Sequence, residues 1–161
     1  MLNSLLQLFK PATPDLADSK LFNESTFYQV FAKDLKNCGS ELLIECPFVT
    51  NRRLQTLLPA LRELKKRRVR IVVNTRDPQE HDEGYRRDSA YRAIAALQRL
   101  GVQVLYTNGH HRKLAIIDRS IMYEGSLNIL SQNSSSEIMR RIESVRLAWQ
   151  MIGFVELDKR F

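Results

Sequence analysis

Helix-like segments alternate with short apolar segments up to residue 106, and this alternation restricts the fold more than any other feature. Apolar residues recur at helical spacing in the first kind of segment, and the second kind is typical of buried strands. The helical segments are 24–37, 52–67 and 90–100, and the strand segments are 41–48, 69–74 and 102–106. Strands joined by crossover helices favour an α/β fold with a mixed, largely parallel sheet and helices on both of its faces.

The remaining segments predict a single domain over residues 21–161. Two short strands at 113–118 and 121–126 follow, and then a strand at 137–142 and a final helix at 143–157. A chain of 161 residues is long enough for one domain with a full core. Residues 1–20 combine a short apolar stretch with a linker rich in Pro and Asp, which indicates an arm or a short helix outside the domain.

The composition excludes several classes of protein. No stretch has the features of a secretion signal or the apolar length of a membrane span, which favours a cytoplasmic protein. Two cysteines, Cys38 and Cys46, are too few for a disulfide framework or a zinc site. We therefore expect neither a metal nor another cofactor.

The formal net charge of +7 indicates an anionic partner, which could be nucleic acid, anionic lipid or an acidic protein. Much of the excess lies between residues 52 and 76, where Glu63 is the single acidic residue. So one-sided a run favours a surface that faces phosphate groups. Arg52 and Arg53 are its candidate substrate-binding residues. The basic residues of the run are Arg52, Arg53, Arg62, Lys65, Lys66, Arg67, Arg68, Arg70 and Arg76.

The segment GHHRKLAIIDRSIMYEGSLN, residues 109–128, begins just past the third predicted strand and contains several side chains capable of catalysis or of binding an anion. Sites in parallel sheets gather at the carboxyl ends of strands, so this is where a site is expected. The alternation of side chains along a strand places His111 and Lys113 on the same side. An imidazole is a nucleophile or a proton donor near neutral pH, and a lysine beside it supplies a fixed positive charge for a phosphate.

Further candidates follow the pair. Gly125 allows the backbone to approach closely, and Ser126 and Asn128 offer hydrogen bonds to the non-bridging oxygens of a phosphate. Asp118 is a candidate for orienting part of the site without touching the substrate. A carboxylate is the usual partner that fixes the tautomer of a histidine, and Glu137 is a candidate for that role.

The spacing of these residues resembles the signature of the phospholipase D superfamily. That signature is His-x-Lys, four residues, Asp, six residues and Gly-Ser-x-Asn, and each fixed position is present. A chance match to so many fixed positions is improbable, and the resemblance extends over residues 24 to about 150. The matching residues are His111, Lys113, Asp118, Gly125, Ser126 and Asn128.

The resemblance implies a mechanism and an assembly. His111 attacks phosphorus to form a phosphohistidine, and a second histidine from a second copy of the motif protonates the leaving oxygen and then activates water. This chain has one motif and no internal repeat, so a homodimer would have to bring two His111 side chains together in one composite site. Lys113 and Asn128 of both chains would hold the phosphate. Glu137 matches the acidic residue that holds the histidine, and Asp118 supports the site from outside it.

Three functions are compatible with this reading. The first is a metal-independent nuclease that cuts DNA or RNA, in agreement with the basic run and the small single-motif chain. The second is a phospholipid phosphodiesterase or phosphatidyl transferase at anionic membranes, although no apolar lip for an acyl chain is evident in the sequence. The third is a non-catalytic module that binds nucleic acid, which the complete motif disfavours. A helicase or a specificity domain is a conceivable partner, and fold alone does not determine the substrate.

Overall fold

The computed structural model describes residue 16 and residues 18–82 and 84–159. Seven strands form one sheet: β1 (Lys20–Asn23), β2 (Glu41–Glu45), β3 (Arg70–Thr75), β4 (Gln103–Tyr106), β5 (Leu114–Ile117), β6 (Ile121–Gly125) and β7 (Ile138–Glu143). The described α-helices are α1 (Phe27–Asn37), α2 (Asn51–Lys66), α3 (Tyr85–Arg99) and α4 (Val145–Phe154). The strands lie side by side in the order β1-β7-β6-β5-β2-β3-β4.

One half of the sheet is parallel, as the alternating pattern predicts. β2 pairs with β3 and β3 pairs with β4, with α2 and α3 as the crossovers. The start of α2 is fixed by Thr50, whose side chain accepts a hydrogen bond from the N–H of Arg53. The inner face of α2 is a stripe of buried leucines at helical spacing, which attaches the helix to the sheet. These are Leu54, Leu57, Leu58, Leu61 and Leu64.

The other half is antiparallel, so the sheet is mixed but not largely parallel. β5 pairs with the free side of β2, and β6, β7 and β1 follow, each antiparallel to its neighbour. The turn between β5 and β6 explains the direction of these strands. Asp118 and Arg119 have φ angles of 50° and 51°, and so tight a turn can join only antiparallel strands. The predicted α/β class with a mixed sheet is confirmed.

Helices cover both faces of the sheet, as predicted. The strand residues Leu42 and Ile44 point to one face, where they pack with residues of α1, α2 and α3. Leu43 points to the opposite face and packs with α4 through residues such as Ile152. β2 is therefore buried on both sides, which explains why its three central residues, Leu42, Leu43 and Ile44, are all apolar.

Two elements differ from the predictions. β1 lies in a segment that we interpreted partly as linker, and it is a strand because it pairs with β7, with Phe22 beside Met139. α3 begins at Tyr85, earlier than predicted, directly after Gly84 with its φ of 103°. Most of the predicted arm at 1–20 lies outside the described residues, and a single domain over 21–161 stays a prediction. Within the described ranges, no helix combines the length and apolarity needed to cross a membrane.

The topology brings several strand ends to one edge of the sheet. β2, β3, β4 and β6 end there, and β5 and β7 begin there, as the pairing of Glu45 with Leu114 and of Gly125 with Met139 shows. We call this the upper edge, and the opposite edge, where β2 begins and β5 ends, the lower edge. The predicted site residues from different segments can therefore meet at the upper edge.

Candidate active site

His111 and Lys113 lie at the upper edge, in the loop that leads into β5. The side chain of His111 is exposed, and its ring centroid lies 6.2 Å from that of Phe48. Nζ of Lys113 donates a hydrogen bond of 2.7 Å to the backbone carbonyl of His111. The ammonium group of Lys113 is therefore held at the backbone of His111, and His111 itself is open to a substrate.

An ion pair between the partly exposed Arg112 and a buried carboxylate holds the backbone between these two residues. Arg112 donates two hydrogen bonds to Glu45, one of them 2.8 Å long from Nη2, and this bonding raises the pKa of Arg112. The carboxylate of Glu45 is fully buried, and Nδ2 of Asn74 donates to it over 2.6 Å. Breaking such a pair leaves an uncompensated charge, so the backbone on either side of Arg112 has little freedom to move.

A second contact holds the start of the same loop. The N–H of Gly109 donates a hydrogen bond of 2.9 Å to Glu80 and lowers the pKa of that carboxyl, which also accepts from Arg76. His110 comes next and is turned inward, with 6% of its surface exposed. Burial lowers the pKa of His110. Of the two histidines, His111 is therefore the one that a ligand can reach.

Gly125 ends β6 at a point where two strands approach very closely. A Cβ atom on Gly125 would lie 2.2 Å from the carbonyl oxygen of Ile138, so only glycine fits without movement of the backbone. Ser126 continues the contact, because its N–H donates to that same carbonyl and its Oγ accepts the N–H of Ile138. The hydroxyl hydrogen of Ser126 remains available to donate to a substrate.

Asn128 follows at the same edge and carries an unusual polar atom. Its Oδ1 is buried and has no hydrogen-bond partner among the described residues. Its backbone carbonyl accepts from the N–H groups of Ser131 and Gln132, which holds the residue in a turn. Because buried polar atoms are nearly always paired, this oxygen suits a hydrogen-bond donor that the described residues do not supply, while the amide nitrogen of Asn128 can donate.

Glu137 also lies at the upper edge, one residue before β7. Its carboxylate accepts a hydrogen bond of 2.7 Å from the hydroxyl of Ser135, and its N–H donates to Glu24. No hydrogen bond joins Glu137 to His111 within the described residues. The predicted role of Glu137 as the partner of His111 stays a prediction.

The structure places Asp118 apart from the other predicted site residues, and a role in orienting the site stays a prediction. Asp118 lies at the lower edge, five residues beyond Lys113 and therefore roughly 16 Å away along the strand. Its carboxylate accepts hydrogen bonds from the N–H groups of Gly39, Ser40 and Glu41, each 2.8 or 2.9 Å long. The residue joins the β5–β6 turn to the start of β2, which is a structural role.

This arrangement predicts a pH-dependent contribution of Asp118 to stability. Burial raises its pKa, but the hydrogen bonds from Glu41, Gly39 and Ser40 outweigh burial and lower it from 3.8 to about 2. Asp118 therefore stabilises the fold above pH 4, and this contribution is lost as the pH falls towards 2. We expect Asp118→Asn to lower the free energy of unfolding by about 1–2 kcal/mol at pH 7.

Urea denaturation of Asp118→Asn between pH 2.5 and 7 measures this contribution. The difference from the parent should shrink as the medium is acidified. Asp158→Asn is the control, because Asp158 is exposed and should show little difference from the parent at any pH. A difference between Asp118→Asn and the parent that does not depend on pH would contradict the assignment.

Comparison with known proteins decides the family. The family model described as "Cardiolipin synthase, PLD-like domain" matches residues 31–156. The chain belongs to the phospholipase D-like family. The match includes the residues of the upper edge discussed above, and it confirms the resemblance drawn from the motif. None of the curated proteins matches the chain by sequence.

Solved structures show the same phospholipase D-like fold. NucT from Helicobacter pylori has a TM-score of 0.66 and 16% identity, covering 86% of this chain and 93% of its own. Nuc from Salmonella typhimurium, a phospholipase D family member, has a TM-score of 0.65 and 16% identity, covering 85% and 90%. Phosphatidylserine synthase from Haemophilus influenzae Rd KW20 has a TM-score of 0.64 and 15% identity, covering 88% of this chain and 38% of its own.

The basic run of this phospholipase D-like chain divides between the two edges. Arg67 and Arg70 lie at the lower edge, where Arg67 donates to the last carbonyls of α1 and Arg70 pairs with Glu41. Arg52 and Arg53 lie at the upper edge, one helix length or roughly 20 Å away. The run is therefore not one surface, and Arg52, Arg53 and Arg76 are its members at the edge that holds His111; the guanidinium of Arg76 lies 5.7 Å from the ring of Phe48.

Arg52 and Arg53 line a cavity of about 630 Å³ between the first turns of α2 and α3. We call it the arginine groove. Arg53 is partly committed to the fold, because its Nε donates to the carbonyl of Gln132 and its guanidinium lies 4.2 Å from the ring of Tyr28. Arg52 is exposed and has one long hydrogen bond, 3.5 Å, to Asn133. Arg52 is the freer of the two for a substrate.

The motif gave no indication of three residues that shape the site. Glu45 ends a strand, and its carboxylate is fully buried. The one available signal was its partner, Arg112, which lies inside the motif. Phe48 and Tyr85 border the arginine groove but lie far from the motif in sequence. Among the described residues, no group of three or more His, Cys, Asp or Glu side chains is arranged to hold a metal ion.

Proposed function

We propose that the chain is a phosphodiesterase that cleaves nucleic acid through a phosphohistidine, with His111 as the nucleophile. The observation that supports this most is the meeting of His111, Lys113, Ser126 and Asn128 at one edge of the sheet, with His111 exposed. Three of these groups are hydrogen-bond donors or cations that suit phosphate oxygens, and the fourth is a nucleophile at neutral pH.

The proposed reaction has two displacements at phosphorus. A ring nitrogen of His111 forms a bond to phosphorus as the bond to the leaving oxygen breaks, and a second His111 protonates that oxygen. Water then attacks phosphorus, its proton passes to the second His111, and the bond to the first His111 breaks. Lys113 and Asn128 bind the non-bridging oxygens, whose charge changes during both steps. In this proposal Glu137 turns from Ser135 to His111 when the site is complete.

The second His111 has to come from another copy of the chain, and the structure offers a surface for it. Next to Lys113 is a cavity of about 480 Å³, bordered by apolar side chains. Leu21, Ile138 and Phe154 in its wall are 59%, 61% and 83% exposed. We call these three residues the apolar patch. Apolar side chains clustered in this way favour a covered surface, and we propose that the second copy covers it.

The apolar patch also supports the second candidate function. No apolar lip was evident in the sequence, but the apolar patch lies beside Lys113, where the acyl chains of a phospholipid could lie. The phosphatidylserine synthase with the same fold acts, by its name, on lipid. We prefer nucleic acid because the arginine groove shares Phe48 with the surroundings of His111, and its arginines suit a polyanion.

A cleavage assay in excess EDTA tests the proposed function. The substrates would be labelled single-stranded DNA, duplex DNA and RNA and, in a parallel reaction, a fluorescent anionic phospholipid. The His111→Ala variant is the inactive control. We expect a nucleic acid to be cut by the parent and not by the His111→Ala variant. Since the proposed chemistry uses His, Lys and Asn, the rate should not depend on added magnesium.

Other outcomes assign the site differently. Turnover of lipid alone would show that the apolar patch docks on a membrane and would refute the nuclease. Strict dependence on magnesium would refute the metal-independent mechanism. Binding of nucleic acid without cleavage would favour the non-catalytic module, which the complete set of site residues disfavours. A helicase or specificity partner and a cytoplasmic location stay predictions.

A further inference from the structure

The arginine groove adjoins the candidate active site through a shared wall. Phe48 lines the groove and also faces the ring of His111, with 6.2 Å between ring centroids. The ring of Phe48 also lies 5.3 Å from that of His81, which lines the groove as well. A ligand in the groove would therefore contact a side chain that also lies against His111.

The wall of the groove carries positive charge with no carboxylate among its described residues. Arg52 and Arg86 in it are exposed. α3 opens onto the groove without a side-chain cap at Gly84, so its first N–H groups add partial positive charge. Asp88, in the first turn of α3, is not part of the wall. These features suit an anionic group of the ligand.

Tyr85 adds a flat aromatic surface to this charged wall. Its side chain is 79% exposed, so it contributes little to the packing of the chain. An exposed aromatic ring next to cations is typical of surfaces on which nucleobases stack. Asn133, which also lines the groove, has an amide that can bond to the edge of a base. The volume of about 630 Å³ is within the range of roughly 300–1,000 Å³ typical of pockets for small organic ligands.

We propose that the arginine groove holds one unpaired nucleotide next to the phosphate attacked by His111, with its base on Tyr85 and its own phosphate on Arg52 and Arg86. This inference rests on the proposed function. A base within a duplex has both faces covered by its neighbours and its edge engaged in a base pair, so the groove admits only a single or locally opened strand. The preferred substrate class is therefore single-stranded nucleic acid.

Measuring how two probes bind to single-residue variants separates the contribution of the base to affinity from that of the phosphates. The probes are a fluorescent oligothymidylate and an abasic oligonucleotide of equal length and charge, measured by anisotropy in EDTA. We expect Tyr85→Ala to weaken oligothymidylate binding roughly tenfold, the effect of losing one stacked base, and to leave abasic binding unchanged. Tyr85→Phe keeps the ring and should bind as the parent does. Arg86→Ala should weaken both probes.

The matched control is Tyr91→Ala, because Tyr91 is an exposed tyrosine of the same helix that does not line the groove. It should leave both affinities unchanged. Equal losses for the two probes with Tyr85→Ala, or none, would overturn the nucleotide site even if the parent cuts nucleic acid. If the parent neither binds nor cuts any nucleic acid, the proposed function fails, and this inference fails with it.

Discussion

Replacing His111 with alanine should lower the rate of phosphodiester cleavage by about 10⁴-fold or more, because the variant has no atom that can bond to phosphorus. Substrate binding should change little, since the arginine groove, Lys113 and Asn128 are unaltered. Rates would be measured under single-turnover conditions, and affinities by anisotropy with the same oligonucleotide. A loss in affinity as large as the loss in rate would contradict a nucleophilic role.

The fold should tolerate this change, which makes the loss of rate interpretable. The side chain of His111 is exposed, so its removal leaves no cavity in the core. Lys66→Ala is a suitable control for general surface effects, because Lys66 is an exposed residue at the opposite edge that pairs with Glu63. It should retain the rate of the parent. His110→Ala differs from both, since His110 is buried and its loss should lower the melting temperature.

A mixing experiment tests whether the site contains two histidines. If each site needs His111 from both chains, a parent chain paired with a His111→Ala chain is inactive. With a ninefold excess of the variant and free exchange of chains, the activity per parent chain should fall about tenfold. Activity that stays proportional to the amount of parent chain would show that one histidine per site is sufficient, and the composite site would be abandoned.

The parts of the fold that follow from local pattern were predicted well. The leucine stripe of α2 and the apolar run of β2 leave few alternatives, since one periodicity indicates a helix and the other a buried strand. Their order along the chain then gives the parallel half of the sheet. β1 was missed because a strand of four residues at the edge of a sheet has no pattern of its own. It forms because β7 offers a partner.

The residues of the site show a similar division. The motif identifies His111, Lys113 and Asn128 because their chemistry requires fixed spacing, and the structure brings them to one edge. Spacing alone could not reveal that Asp118, although part of the motif, bonds to the start of β2 at the lower edge. The length of β5 lies between it and Lys113 at the upper edge. Tyr85 and Phe48 reach the site only through the fold, since helix and strand ends from distant segments meet there.

Gly125→Ala should strongly destabilise the chain, because the added methyl group would collide with the backbone of β7. The new Cβ would lie 2.2 Å from the carbonyl oxygen of Ile138 and 3.0 Å from its carbonyl carbon and from Cα of Met139. These are backbone atoms of a paired strand, so they cannot rotate away as a side chain could. We expect a loss of about 2–3 kcal/mol in the free energy of unfolding, seen as a fall in melting temperature of roughly 5–10 °C.

The same change should also lower the activity of the molecules that remain folded. The N–H of Gly125 donates to the carbonyl of Lys113 over 3.3 Å, so pushing β6 away from β7 displaces the residue that we propose binds phosphate. Gly153→Ala is the matched control, because a Cβ there meets no atom within 4 Å. In a helix this exchange should be neutral or stabilise by up to about 1 kcal/mol. Equal melting temperatures for the two variants would show that β6 and β7 do not approach as closely as described.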